Sequence, residues 1–252
     1  MAKNDFSSEN AVNYEQKCLC ILVLDTSGSM REIIGGDVRH TGRTEMIEGK
    51  LYSIVEGGIT KIDDLNNGLL EFYHEIESDD STSQRLEVSL ITFNDYVSTV
   101  QEPALVENFT MPTLEANGET VMVDAVNEAI NKVQARKDWY KSTGQNYYRP
   151  WIILMTDGEP NSNQDVNALA NRIKADTVAK KYVFLPIGVE NANMAVLNKI
   201  KGDIPPMLLK GAKFSQFFKW LSASMGTVVN HEEGEKVDLT QGADKWMEAF
   251  VI

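Results

Sequence analysis

Three apolar runs of strand length constrain this chain most: residues 18–24 (CLCILVL), 151–155 (WIILM) and 182–187 (YVFLPI). A strand with one wet face alternates polar and apolar side chains. Runs without alternation therefore belong to strands covered on both faces, as in a parallel sheet. Residues 86–93 (LEVSLITF) alternate more, and Asn94-Asp95 turns into YVSTV at 96–100, a hairpin that places one antiparallel strand at the sheet edge. Between the runs, apolar residues return at helical spacing. Leu65, Leu69, Phe72, Tyr73 and Ile76 form one stripe, and Met122, Ala125, Val126, Ala129, Ile130 and Val133 a second. Val166, Leu169, Ala170 and Ile173 form a third, and Phe214, Phe217, Phe218, Leu221 and Met225 a fourth. Strands alternating with such helices predict an α/β fold: a Rossmann-like, doubly wound, mostly parallel sheet with one antiparallel edge strand and helices on both faces.

The 252 residues suit one domain, expected over 18–229 after a polar segment at 1–17. Residues 230–252 read as a tail, acidic at first and ending in Trp246, Phe250, Val251 and Ile252. Residues 31–58 separate the first strand from its helix. They contain Gly35-Gly36 and Gly57-Gly58, with a short helix or strand expected around 46–55.

Charge narrows the function. With 24 Lys+Arg against 37 Asp+Glu the net charge is −13, a poor match to phosphate backbones, so no nucleic-acid partner is expected. One basic, aromatic cluster runs against this balance: Lys137, Trp139, Tyr140, Lys141, Tyr147, Tyr148 and Arg149. It reads as a stacking surface or as a loop packing its rings before the fourth strand, and the overall charge favours the loop. The first residues, MAKNDFSSENAVNYEQK, lack an apolar signal core, and no run approaches a membrane span, so a cytoplasmic protein with no membrane partner is expected. Cys18 and Cys20 are expected as buried free thiols.

In a doubly wound sheet ligands gather beyond the carboxyl ends of the strands. The first strand runs into Asp25-Thr26-Ser27-Gly28-Ser29, the fourth into Thr156-Asp157-Gly158-Glu159-Pro160, and Gly118-Glu119-Thr120 opens the helix between them. These loops supply the carboxylates of Asp25 and Asp157 and the hydroxyls of Ser27, Ser29 and Thr120. An oxygen-only set without His or Cys calls for a hard divalent cation. Neutral hydroxyls with one or two carboxylates leave such a cation barely compensated, with a position open to a partner's acidic residue.

LVLDTSGSM, GETVMVDAVNEAI and YRPWIILMTDGEP resemble the von Willebrand factor A domain and its metal-ion-dependent adhesion site. By position, Asp25, Ser27 and Ser29 match that family's DxSxS, Thr120 its loop threonine, and Asp157 its later aspartate, often bound through water. The resemblance implies Mg²⁺, with Mn²⁺ as substitute, and a non-enzymatic protein-binding role. YYRPWIILMTDGEP, FLPIGVENANMAVLNKI and FSQFFKWLSASM further resemble the bacterial TerY/YegL branch associated with tellurium resistance. That branch implies a cytoplasmic adaptor in stress response, linked with TerD-like proteins, a PP2C-like phosphatase and a protein kinase. Two departures stand out. Glu119 replaces the usual glycine before the loop threonine, either as a third carboxylate beside the metal or as an outward charge at a helix N-terminus. Residues 31–58 are inserted beside the metal loop with Asp37, His40 and Glu45, either as a flap over the site or as a surface elaboration.

Other classes fit less well. A phosphatase of the haloacid-dehalogenase type needs a second Asp two residues after the first, where Ser27 stands, and a hydroxyl cannot serve as its general acid. A Ser/His hydrolase would have to recruit His40, His74 or His231 without a GxSxG elbow. Neither glycine pair ends as a P-loop does. A surface adhesin shares the fold but is expected to carry a leader and more cysteines.

Overall fold

The computed structural model describes residues 13–47, 50–108, 110–209 and 213–230. β1 (Cys18–Asp25) is buried at every position, as its unalternating sequence requires. Its odd and even residues feed two separate cores. Leu19, Ile21 and Val23 face α3 (Met122–Thr143), α4 (Val166–Val178) and α5 (Met194–Ile200). Cys18, Cys20, Leu22 and Leu24 face α1 (Lys61–Ser78) and α6 (Phe214–Asn230). Both thiols are wholly buried, and burial pushes Cys18 up to about 12.

The remaining strands of the main sheet are β4 (Leu86–Phe93), β5 (Val97–Leu105), β6 (Trp151–Thr156), β7 (Val183–Val189) and β8 (Met207–Leu209), in the order β5-β4-β1-β6-β7-β8. β5 alone pairs antiparallel, at the edge. The chain winds to one side of β1 through β4 and to the other through β6. The switch point therefore lies between the ends of β1 and β6, where Leu24 pairs with Met155. The doubly wound, mostly parallel α/β architecture is as expected.

The structure corrects the sequence in three places. Of the short helix or strand expected around 46–55, the strand forms, but as parts of two long ones. β2 (Ile33–Ile47) and β3 (Lys50–Thr60) form a separate antiparallel ribbon that exposes Met46 and Leu51. Its root is closed by the Lys61 N–H donating to the Glu32 carbonyl at 3.0 Å. There Thr60 and Asp63 form a reciprocal capping box that starts α1. A short α2 (Asp80–Arg85) follows α1. The second correction concerns α3, whose apolar stripe ends near Val133 although the helix continues to Thr143, carrying Lys137, Trp139, Tyr140 and Lys141. These residues are helical, and only Tyr147, Tyr148 and Arg149 belong to a loop. The cause is a buried polar contact in place of an apolar one: Arg136 donates to both oxygens of Glu87, at 2.9 and 2.8 Å, and the Tyr140 hydroxyl donates to Glu87 as well. Third, α6 runs on to Asn230, past its last expected apolar position. Of the tail expected at 230–252, Asn230 ends α6 and residues 231–252 lie outside the described residues, as do residues 1–12 of the segment expected at 1–17.

Candidate functional site

Main-chain bonds stitch three loops together beyond the carboxyl ends of β1 and β6. The Gly28 N–H donates to Gly118 O at 2.9 Å, Asn117 N–H to Thr26 O at 2.8 Å, and Asn161 N–H to Thr120 O at 3.0 Å. Gly118 lies at φ +71 against the Asp95 carboxylate, where a Cβ would come within 2.4 Å of Oδ2; only glycine fits there. The next N–H, that of Glu119, donates to Asp95 Oδ1 at 2.8 Å.

This stitching brings the five expected residues together. Asp25 ends β1 with no exposed surface. Its Oδ1 accepts from the Ser27 N–H at 2.8 Å and its Oδ2 from the Thr156 hydroxyl. The Ser27 and Ser29 hydroxyl oxygens stand 3.0 Å apart, and Ser29 Oγ donates to Asp157 Oδ1 at 2.6 Å, across 128 residues of sequence. Ser27 and Thr120 are buried, whereas Ser29 forms the mouth. A Cβ on Gly158 would lie 3.2 Å from Thr120 Oγ1 and 3.6 Å from Asp25 Oδ2, so these two oxygens border one small cradle that the glycine leaves open.

The electrostatics are uneven. Burial pushes Asp25 up to about 6, against the hydrogen bonds from Ser27 and Thr156 that favour its charged form; the nearby Asp157 raises it further. Asp157 itself is paired. Its Oδ2 accepts from Lys61 Nζ at 2.7 Å, and the same ammonium also donates to Glu32. Burial alone would lower Lys61, but its bonds to Asp157 and Glu32 hold it above the ordinary lysine range. A dication here would meet one uncompensated carboxylate, Asp25, beside the hydroxyls of Ser27, Ser29 and Thr120. This hard, oxygen-only donor set fits Mg²⁺ or Mn²⁺. No three His, Cys, Asp or Glu side chains among the described residues form a metal cluster, so a cation held here would need the hydroxyls as well.

Sequence reasoning missed four residues. Thr156 was readable, since it stands next to Asp157 in the same tripeptide. Asn161 receives the Thr120 N–H at 3.2 Å and donates to Glu119 at 2.8 Å. Glu119 is thereby an exposed tie between two loops, ahead of the α3 first turn. Lys61 and Glu32 carried no signal, because their pairing depends on the ribbon root.

Residues 53–219 match the family model of the von Willebrand factor type A domain, and the chain belongs to that family. The match begins inside β3, so Thr120 and Asp157 fall within it while Asp25, Ser27 and Ser29 precede it. No curated protein matches the chain. Among solved structures, the von Willebrand factor domain of the type V pili tip protein Mfa5 from Porphyromonas gingivalis superposes with a TM-score of 0.55 at 11% identity, covering 88% of this chain and 99% of that one. The PilB minor pilin from Streptococcus sanguinis gives 0.52 at 15%, covering 86% and 62%. The ArnB paralog VWA2 from Sulfolobus acidocaldarius gives 0.50 at 15%, covering 84% and 46%. The chain thus spans less than two thirds of the latter two, and identities this low speak to the fold alone. No helix among the described residues is long and apolar enough to cross a membrane.

Proposed function

We propose that this chain is a non-catalytic, metal-dependent protein-binding module. Asp25, Ser27, Ser29 and Thr120 hold Mg²⁺ or Mn²⁺, Asp157 acts through Ser29 or a water, and a partner's carboxylate completes the shell. The observation that carries this reading is the 2.6 Å bond from Ser29 to Asp157. It joins two distant loops and, with Asp157 paired to Lys61 and the Ser27 hydroxyl donating to Ser29, leaves one Ser29 oxygen lone pair for a cation. A dication facing one bare carboxylate keeps positive charge, which attracts an acidic ligand. Two observations count against catalysis. Ser27 stands where a phosphatase of the haloacid-dehalogenase type needs its acid, and His40 and His74 are exposed and outside the site. The cytoplasmic stress-response setting, with TerD-like proteins, a PP2C-like phosphatase or a kinase as partners, rests on the sequence resemblance alone. A surface role like that of a pilin is the competing setting.

The test is Mn²⁺ binding followed by electron paramagnetic resonance, together with partner capture from the native cell in Mg²⁺ and in EDTA. Asp25→Ala is expected to lose Mn²⁺ binding at least tenfold and to lose its partner. A partner retained by Asp25→Ala in EDTA overturns the reading. Fractionation of the native cell separates the cytoplasmic setting from the surface one.

A further inference from the structure

The amino ends of β6 and β7 border a second site. The last turns of α3, the loop before β6 and the turn after α4 border an open cavity of about 600 Å³. Lys137, Lys141, Arg149, Lys180 and Lys181 line it, and no carboxylate does. In a chain of net charge −13, five cations around one space are not what composition alone would give.

Part of this charge has structural work. α3 and α4 both end here, and each helix C-terminus carries about half a negative charge that favours nearby cations. Asp176 holds Lys181 at 2.6 Å, while Asp138 and Asp203 stand 3.9 Å from Lys141 and Arg149. Those partners leave a surplus. Lys137 and Lys180 have no carboxylate within ion-pair distance among the described residues. Lys137 donates to the Lys181 carbonyl at 3.2 Å, and Arg149 donates through Nη2 to the Tyr182 and Thr177 carbonyls at 2.5 and 3.2 Å, so neutral carbonyls leave both charges in place; the buried Arg149 Nε–H has no acceptor among the described residues. Burial, then the crowding of Lys141 and Lys181, pulls Lys137 below the ordinary lysine range.

Lys180 adds an independent sign. It is held at φ +53, with its N–H donating to Thr177 O at 3.0 Å and the Lys181 N–H to Asp176 O at 2.9 Å. This is a Schellman motif, whose left-handed position is normally glycine. A lysine there is sterically unfavourable, yet it stands on the rim of the cavity. Opposite stands a fixed aromatic wall: Tyr147 stacks on Tyr140 with ring centres 5.1 Å apart, and Tyr140 is anchored by its hydroxyl on the buried Glu87.

We propose that this cavity binds a polyphosphate group, either free or carried by a nucleotide. Several cations in a space larger than one phosphate suit a chain of phosphates, with ammonium and guanidinium N–H groups donating to its oxygens. The half-buried Tyr147 ring, with Lys137 Nζ 5.8 Å from its centre, offers a nucleobase an aromatic contact beside the cations.

Calorimetry with pyrophosphate, ADP and adenosine tests this on the EDTA-treated full chain at low salt, where the metal site cannot contribute. Pyrophosphate and ADP are expected to bind and adenosine alone is not. Tighter ADP than pyrophosphate identifies a nucleotide as the carrier, and equal affinities identify the free phosphate chain. Lys180→Gly relieves the backbone and keeps the fold, yet is expected to weaken binding about threefold; Lys137→Gln with Lys180→Gly should weaken it at least tenfold. Absence of binding by both phosphates at millimolar concentration, or affinities unchanged in the double variant, overturns the proposal.

Discussion

Two carboxylates are buried in this sheet, and they are treated in opposite ways. Glu87, where β4 begins, is gripped by Arg136 through two hydrogen bonds and by the Tyr140 hydroxyl. Asp25, where β1 ends, is hydrogen-bonded by Ser27 and by the Thr156 hydroxyl, and among the described residues no cation stands within ion-pair distance. The first is a satisfied piece of the core. The second carries the cost of burial without a counter-charge, as its rise to about 6 shows. An unpaired buried carboxylate at a loop cluster is what the proposed cation site requires, whereas paired buried charge is architecture.

The strongest way to break this contrast is to remove the partner of the one and the charge of the other. Arg136→Ala strands the Glu87 charge in the core and is expected to cost about 3–5 kcal/mol in chemical denaturation. Asp25→Asn keeps the size of the side chain and removes an unfavourable charge, so the metal-free fold should lose less than about 1 kcal/mol. Similar losses from both would erase the distinction.

Acidity sharpens it further, with a sign that depends on the cation. Asp25 has to be ionised to hold a dication, so Mn²⁺ affinity should fall on acidification through about 6, by about tenfold from neutral pH to about pH 5. The metal-free protein should respond in the opposite sense. Asp25 takes up its proton more readily folded than unfolded, so its contribution to stability rises as pH falls from about 6 toward the ordinary value of 3.8. Denaturation curves at several pH values, with and without Mn²⁺, measure both slopes.

The smallest effect concerns Lys61. Lys61→Met leaves Asp157 and Glu32 uncompensated, and the more negative site should take Mn²⁺ severalfold more tightly. Weaker binding in that variant would mean that Lys61 chiefly orients Asp157.

Most of this scaffold could be read from the sequence because it depends on burial. β1, β6 and β7 are buried on both faces, and their unalternating runs say so. The loops that follow β1 and β6 were readable as an oxygen set because Asp25, Ser27, Ser29 and Asp157 lie within short, glycine-bearing stretches. What escaped depends on contacts between distant residues. The second half of α3 keeps its place through Arg136 and Glu87, polar residues that blur an apolar stripe. The β2–β3 ribbon leaves Met46 and Leu51 in solvent and so shows no one-sided burial pattern. Lys61 meets Asp157 across 96 residues, through a geometry set by the ribbon root and the start of α1.

The cysteines of β1 give the chain a clock for its own opening. Both are sealed in the core and held protonated by burial, so a thiol-reactive dye finds no thiolate until the strand comes away from its neighbours. The rate of dye uptake would then report how often the native state opens, in any variant and without an engineered cysteine.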